Sequence, residues 1–250
     1  RRVVNPVIKP VGKSTIYHID FSFDTLRLGG SAFAQSQGFV GSDVPTVKNP
    51  EYFRDAFNAV QQLVSEGLVL AGHDISAGGL ITCLLEMCFA NTEGGLDICL
   101  DKFHPADLVR ILFAENPGVV LQIADKDKAR FKEILDEAGI GYVKLGRPAE
   151  ERQILVDFDG ATYQFGIDYL RDVWYETSYL LDTKQSFNGC ARKRFENYKQ
   201  QPLEFHFHPE FKGTFAQLGI DPDRRTPSGV RAAIIREKGT NGERERNGRG

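Results

Sequence analysis

The chain has 250 residues, 41% of them hydrophobic and 26% charged, with a formal net charge of −3. That length admits one large domain or one medium domain with appendages, and the charge balance excludes a general nucleic-acid binder, which carries a clear basic excess. No apolar run approaches the ~20 residues that span a bilayer, and the N-terminal RRVVNPVIKPVGK lacks an apolar secretory core, so a cytoplasmic location with no membrane partner is expected.

The first residues, with Pro6 and Pro10 breaking any helix, read as an extended segment up to residue 14. TIYHIDFS (15–22) alternates and is rich in β-branched and aromatic residues, a strand pattern. RLGGSAFAQSQG (27–38) opens on a glycine pair and continues as a short helix. Asn49-Pro50 starts an amphipathic helix to about Glu66, predicted to present Phe53, Phe57, Val60 and Val64 on one face. LVLAG (68–72) is a short strand, and the segment from about Gly79 to Ala90 is a helix apolar nearly all round, hence central.

GLDICL is a further strand, followed by a short helix from Pro105 to Phe113 and by the strand GVVLQIA (118–124). Residues 125–138 form a charged surface helix with Phe131, Ile134 and Leu135 facing inward. GYVKLGRP, RQILVDF and ATYQF are strands, the last two joined by an Asp-Gly turn at 159–160, and a helix over about 167–181 carries Leu170, Trp174 and Tyr175. Interleaved strands and helices with a hairpin predict a mixed α/β or α+β fold.

After Asp182 periodicity fades and prolines, glycines and polar residues suggest a linker. Within it His206, His208 and Glu210 of HFHPE allow either a metal site or plain alternation on a strand. An apolar strand VRAAIIREKG (230–239) then begins, too little for a domain and so the expected first piece of another. Cys83, Cys88, Cys99 and Cys190 form no CxxC pair and read as buried or incidental thiols.

AGHDISAGGL (71–80) concentrates the polar chemistry: His73, Asp74 and Ser76 stand directly before Gly78 and Gly79, at the head of the apolar helix. Two readings are open. Ser76 caps the helix while the glycines ease the turn, or the turn holds an anion and its metal. At RLGGS, Gly29, Gly30 and Ser31 either form a backbone nest aimed at phosphate or allow close packing at a helix start, with Arg27 as a possible phosphate partner.

Three motifs in this order, LRLGGSAFAQ (26–35), GHDISAGGLITCLLEMCFA (72–90) followed by GGLDI, and VRAAIIREKGTNGERE (230–245), resemble the large single-chain phosphoribosylformylglycinamidine synthases. The resemblance covers about residues 15–245 and rests on order and spacing, since related ATP-using synthetases share the glycine-rich turn. It implies the C-terminal half of the aminoimidazole ribonucleotide (AIR) synthetase-like fold, from the second synthetase repeat, over residues 15–181. Residues 1–14 would then be an extended segment, 182–229 the linker and 230–250 a truncated start of the glutamine amidotransferase domain.

The family uses ATP to activate the amide oxygen of formylglycinamide ribonucleotide, and ammonia from glutamine displaces phosphate to give the amidine. The resemblance implies Mg2+ and ATP or ADP as cofactors, with Asp74 a magnesium ligand and Ser76 a nucleotide contact at an auxiliary site. Family members usually carry a second aspartate where this chain has Ala77, which removes a helix-start charge and leaves the ligand position intact. The implied partners are the synthetase N-half, the first repeat and the glutaminase of the same polypeptide, together with small-molecule substrates. No catalytic residue is expected in this chain, none of its four cysteines takes the glutaminase role, and the isolated chain is expected to be inactive. Two alternatives stand beside this: another ATP-dependent relative, such as an AIR or selenophosphate synthetase, against which the glutaminase-like tail argues, and a non-catalytic regulatory or assembly module on the same fold.

Overall fold

The computed structural model describes residues 3–9, 12–200, 206–221 and 223–226. The chain divides into two units, residues 1–201 and 202–250. In the first, seven strands form one mixed sheet: β1 (Ser14–Asp20), β2 (Val69–Asp74), β3 (Gly95–Cys99), β4 (Gly118–Ala124), β5 (Val143–Ala149), β6 (Gln153–Phe158) and β7 (Ala161–Gly166). Their order is β2-β4-β1-β5-β3-β6-β7. Every pairing is antiparallel except β3 with β6. With helices packed against the sheet, this is the α+β architecture that the interleaved pattern predicts.

Two cores follow from the two-residue period of the central strands, whose successive side chains point to opposite faces. Ile16 and Val120 join one core, Tyr17, Ile19, Leu121 and Ile123 the other. The first is dominated by α3 (Gly79–Phe89), in which eight residues are buried. Its Leu80, Leu84 and Met87 pack with Leu96, Ile98, Ile154 and Val156 of β3 and β6, each buried large side chain contributing about 1.5–3 kcal/mol. The second core brings together α2 (Pro50–Glu66) and α5 (Lys128–Glu137). The Phe131 ring lies tilted against that of Tyr17, centroids 4.5 Å apart, with Ile134 and Leu135 buried in the same core as the charged-helix pattern predicts.

Asn49 caps α2 by accepting the N–H groups of Glu51 and Tyr52, both at 3.0 Å, and Gly67 ends it in the left-handed region. The buried face of α2 is Ala56, Ala59, Val60 and Leu63, while Phe57 is 47% exposed. Of the expected stripe, Val60 is buried and Phe53 packs against this core, while Phe57 lies outside, because the small Ala56 and Ala59 set the contact face. The helix expected from Pro105 begins later, as α4 (Leu108–Phe113), where Asp107 accepts the N–H of Arg110. Burial pushes the thiols of Cys83 and Cys88 up, the latter to about 12, so both stay protonated, whereas Cys99 is exposed.

The connection between β5 and β6 crosses the start of β3, which lies between them in the sheet. A Cβ at Gly95 would run into the carbonyl oxygens of Glu151 and Gln153, and Arg152 donates to the carbonyl of Gly94 at 3.3 Å and to that of Cys88 at 3.0 Å.

Helix α6 (Ile167–Gln185) runs past the point where periodicity fades, and α7 (Cys190–Glu196) packs back on it. The tie is the buried Arg171 guanidinium, 4.0 Å from the Tyr198 ring and 4.9 Å from that of Tyr175. It also donates to the Phe195 carbonyl at 2.9 Å. In the second unit the described residues form turns, with Phe207 stacked on Phe211 at 5.0 Å. The strand expected at 230–239 lies outside the described residues. Among the described residues no helix is long and apolar enough to cross a membrane.

The two core assignments separate in a stability measurement. Leu84→Ala, at a fully buried position, is expected to cost about 2–5 kcal/mol. Phe57→Ala is expected to stay within ~0.5 kcal/mol, both read from urea midpoints at unchanged slope.

Candidate functional site

Strand β2 delivers His73 and Asp74 to the end of the sheet, Asp74 standing opposite Val119 of β4. The chain then turns: the Ile75 N–H donates to the Gly118 carbonyl at 2.9 Å, and the Gly79 N–H to the Ser76 carbonyl at 3.0 Å. Both glycines are needed. Gly78 and Gly79 have φ of 89° and 72°, a region side chains avoid, and a Cβ on Gly79 would lie 2.7 Å from the Leu112 carbonyl oxygen. The cap of α3 is Gly78, with no side-chain hydrogen bond, so Ser76 is not the helix cap.

The Asp74 carboxylate is 74% exposed and faces the His73 ring at 3.4 Å. The Ser76 hydroxyl is exposed and has no partner among the described residues. His73 is fixed from behind. Its Nδ1 contacts the Asp74 carbonyl at 2.8 Å, and its Nε2 lies 3.2 Å from Glu86 of α3. Glu86 in turn accepts the indole N–H of Trp174 at 3.0 Å. Asp74 and Ser76 thus both stand exposed, two residues apart, on one strand-to-helix turn, and among the described residues only the histidine pairs with either. Among the described residues no group of three His, Cys, Asp or Glu side chains gathers to hold a metal, at HFHPE or elsewhere.

The RLGGS turn is built differently. The Gly29 N–H donates to the Asp43 carbonyl at 2.8 Å, that of Gly30 to Val40 at 2.6 Å and that of Ser31 to Leu28 at 3.2 Å. Ser31 caps α1 (Ala32–Ser36), its hydroxyl accepting the Ala34 N–H at 3.2 Å. A Cβ on Gly29 would sit 2.6 Å from the Asp43 carbonyl, so glycine allows two backbones to touch. The donors that a phosphate nest needs are committed to the chain, which is the geometry of the close-packing alternative. Arg27 is committed as well, between Asp24 at 2.9 Å and Asp43. An open cleft of about 390 Å3 borders this turn, walled by residues 44–47 and Glu115. A larger depression of about 890 Å3, near Thr92, Glu93 and Arg147 beyond the far end of α3, contains none of the expected site residues.

The residues that sequence reasoning missed lie between α4 and β4. Glu115 accepts the N–H of Gly78 and the N–H of Ala32, both at 2.8 Å and both on one oxygen. Asn116, 4% exposed, accepts the Arg27 N–H at 3.2 Å and donates to Ser22 and to the Thr25 carbonyl, each at 3.1 Å. The only sequence signal was a polar pair between an apolar helix and an apolar strand, which any surface loop also shows.

Residues 16–157 match the family model of the AIR synthase related protein, C-terminal domain, and the chain belongs to this family. Over 98% of its length it is 34% identical to a protein of Arabidopsis thaliana named probable phosphoribosylformylglycinamidine synthase, chloroplastic/mitochondrial. Over 97% it is equally identical to the phosphoribosylformylglycinamidine synthase of Homo sapiens. It spans only 17% and 18% of those two relatives. The fold is shared with solved structures of T. maritima PurL complexed with FGAR and with ATP, at TM-scores of 0.55 and 0.54 and identities of 19% and 17%, covering 68% of this chain in both cases and 29% and 27% of theirs.

The charged network beside the glycine turn gives a pH test. Asp24, its side chain shut off from solvent, is held down at about 2 by Lys48 first and then by Arg27. A carboxylate depressed from its usual ~4 stabilises the fold above that value, and the contribution is lost as pH falls toward its folded value. Asp24→Asn should therefore lower the melting temperature at pH 7, and the gap to wild type should close between about pH 4 and pH 2. A gap independent of pH would mean that the Asp24 charge plays no part.

Proposed function

We propose that this chain lends one wall to a magnesium–nucleotide site in a phosphoribosylformylglycinamidine synthase. That ligase converts formylglycinamide ribonucleotide, ATP and glutamine to formylglycinamidine ribonucleotide, ADP, phosphate and glutamate. The similarity to synthases of that name over almost the whole chain supports the class. The observation that carries the site is the pairing of an exposed Asp74 carboxylate with a partner-free Ser76 hydroxyl on one stiff turn.

The donor set fits a shared site. Asp74 is a single hard oxygen ligand of the kind magnesium takes, with further positions left for phosphate, water and other parts of the polypeptide. Among the described residues no arginine or lysine forms an ion pair with it. Bound there, magnesium would neutralise phosphate charge on the nucleotide. The chain's own contribution is to hold: Asp74 to the cation, Ser76 to the nucleotide, with His73 keeping the end of β2 in place. The Gly29–Ser31 turn enters this proposal as packing beside the site. The role is auxiliary, the bond-making groups belonging to the synthetase N-half, the first repeat and the glutaminase as partners in one polypeptide. The expected cytoplasmic location is not general to such relatives, since the A. thaliana protein is named chloroplastic/mitochondrial.

The test is nucleotide and magnesium content of the full-length polypeptide purified with single substitutions. Asp74→Asn is expected to weaken retention most, because a neutral amide offers one weaker oxygen to a hard cation. Ser76→Ala removes one hydroxyl contact and is expected to cost about 0.5–1.5 kcal/mol of affinity. A full complement of both in Asp74→Asn would return Asp74 to a plain turn residue.

A further inference from the structure

Helix α3 begins without a side-chain cap, yet its first turn is not left to solvent. The Gly78 N–H reaches Glu115, which approaches from the α4–β4 connection, and the same carboxylate oxygen takes the N–H of Ala32, the first residue of α1. A carboxylate accepting two N–H groups at helix starts makes charge-assisted bonds, stronger than neutral ones and favoured by the positive end of each helix. The two donors belong to the two glycine turns, which lie more than forty residues apart in sequence.

Glu115 is itself held firmly. Asn116 is anchored in the 22–27 loop by three hydrogen bonds. On the other side, the Phe113 ring stacks on Phe33 of α1 at 4.8 Å. One residue pair further, the Gly118 carbonyl takes the Ile75 N–H. The loop carrying Ser76 is therefore fixed at both ends from one stretch of chain, Ile75 through Gly118 and Gly78 through Glu115.

We infer that Glu115 is a positioning residue of the candidate site: its carboxylate locks the Asp74–Gly78 loop to the Arg27–Ser31 turn, so that the two glycine turns move as one unit. The functional half of this inference rests on the proposed nucleotide reading. Glu115 touches no ligand on this account and acts through the backbone. Glutamine at this position keeps a carbonyl oxygen of the same reach, and alanine keeps none.

Two measurements test it together. Amide hydrogen exchange on the chain compares wild type, Glu115→Ala and Glu115→Gln. Calorimetry of magnesium–ADP binding on the full-length polypeptide compares the same set with Asp74→Asn. Glu115→Ala is expected to expose the amides of both Gly78 and Ala32 while those of β4 stay protected, and to weaken magnesium–ADP by about tenfold. Glu115→Gln is expected to restore most of both. If Glu115→Ala does not fold, Glu115→Asp, one methylene shorter, takes its place with the same expected signs.

Loss of protection at only one of the two amides overturns the coupling. Nucleotide affinity unchanged in Glu115→Ala but weakened in Asp74→Asn overturns the inference and leaves the nucleotide reading standing. Glu115→Gln as weak as Glu115→Ala in magnesium–ADP affinity, while the Gly78 and Ala32 amides stay protected, overturns it too, because charge at the cation rather than backbone position would then be what matters. If Asp74→Asn has no effect, the nucleotide reading falls and takes the functional half of this inference with it.

Discussion

The close approach of the first turn of α3 to the end of α4 is the constraint on which the rest of the site depends. Gly79 lies so near the backbone of Leu112 and Phe113 that no side chain fits between them. That contact permits two things at once. It lets an almost wholly apolar helix start in the core beside α4, and it brings the next residues of the connection within hydrogen-bond reach of Gly78. Without the two glycines the polar turn of β2 and the polar pair 115–116 would not meet.

The same contact explains why the turn is stiff although its tip is exposed. A strand-to-helix turn at the edge of a sheet normally frays, because few of its polar groups have partners. Here Ile75, Gly78 and Gly79 all donate to fixed acceptors, and His73 is braced through Glu86 to α6. Among the described residues Asp74 meets only the His73 ring, and the Ser76 hydroxyl has no partner. Preorganised donors of this kind lose little freedom when a ligand arrives, whereas the Gly29–Ser31 turn, with its donors already paired, would have to break bonds first.

Much of the fold was legible where local chemistry suffices. Asn49-Pro50 and Gly67 mark the ends of α2, the apolar run of β4 has its predicted limits, and Asp159-Gly160 supplies the hairpin turn, both residues having positive φ. The face of α2 was legible only in part, at Val60 and Phe53, since the rest of its core contact is made by Ala56, Ala59 and Leu63 while the larger Phe57 stays outside. Nor was α7, a basic and polar stretch by composition. It is held by an arginine of α6 enclosed among rings, a contact no local pattern contains. Asp74 and Ser76 could be singled out from the motif, but Glu115 could not, because an acid in a short loop acquires meaning only from partners 37 and 83 residues away.

The crossing of the β5–β6 connection over β3 has a mechanical side. Strand register is ordinarily set by which face is apolar, and slipping by two residues preserves that pattern. Strand β3 has a hard stop instead. Its N-terminal end lies under the carbonyls of Glu151 and Gln153, clasped by Arg152 at Gly94. Sliding two residues toward the connection would push the Asp97 side chain into the space that admits only a hydrogen at Gly95. The strand that feeds from α3 into the far half of the sheet is thus indexed like a bolt against a shoulder, and the position of α3 along the sheet is indexed with it.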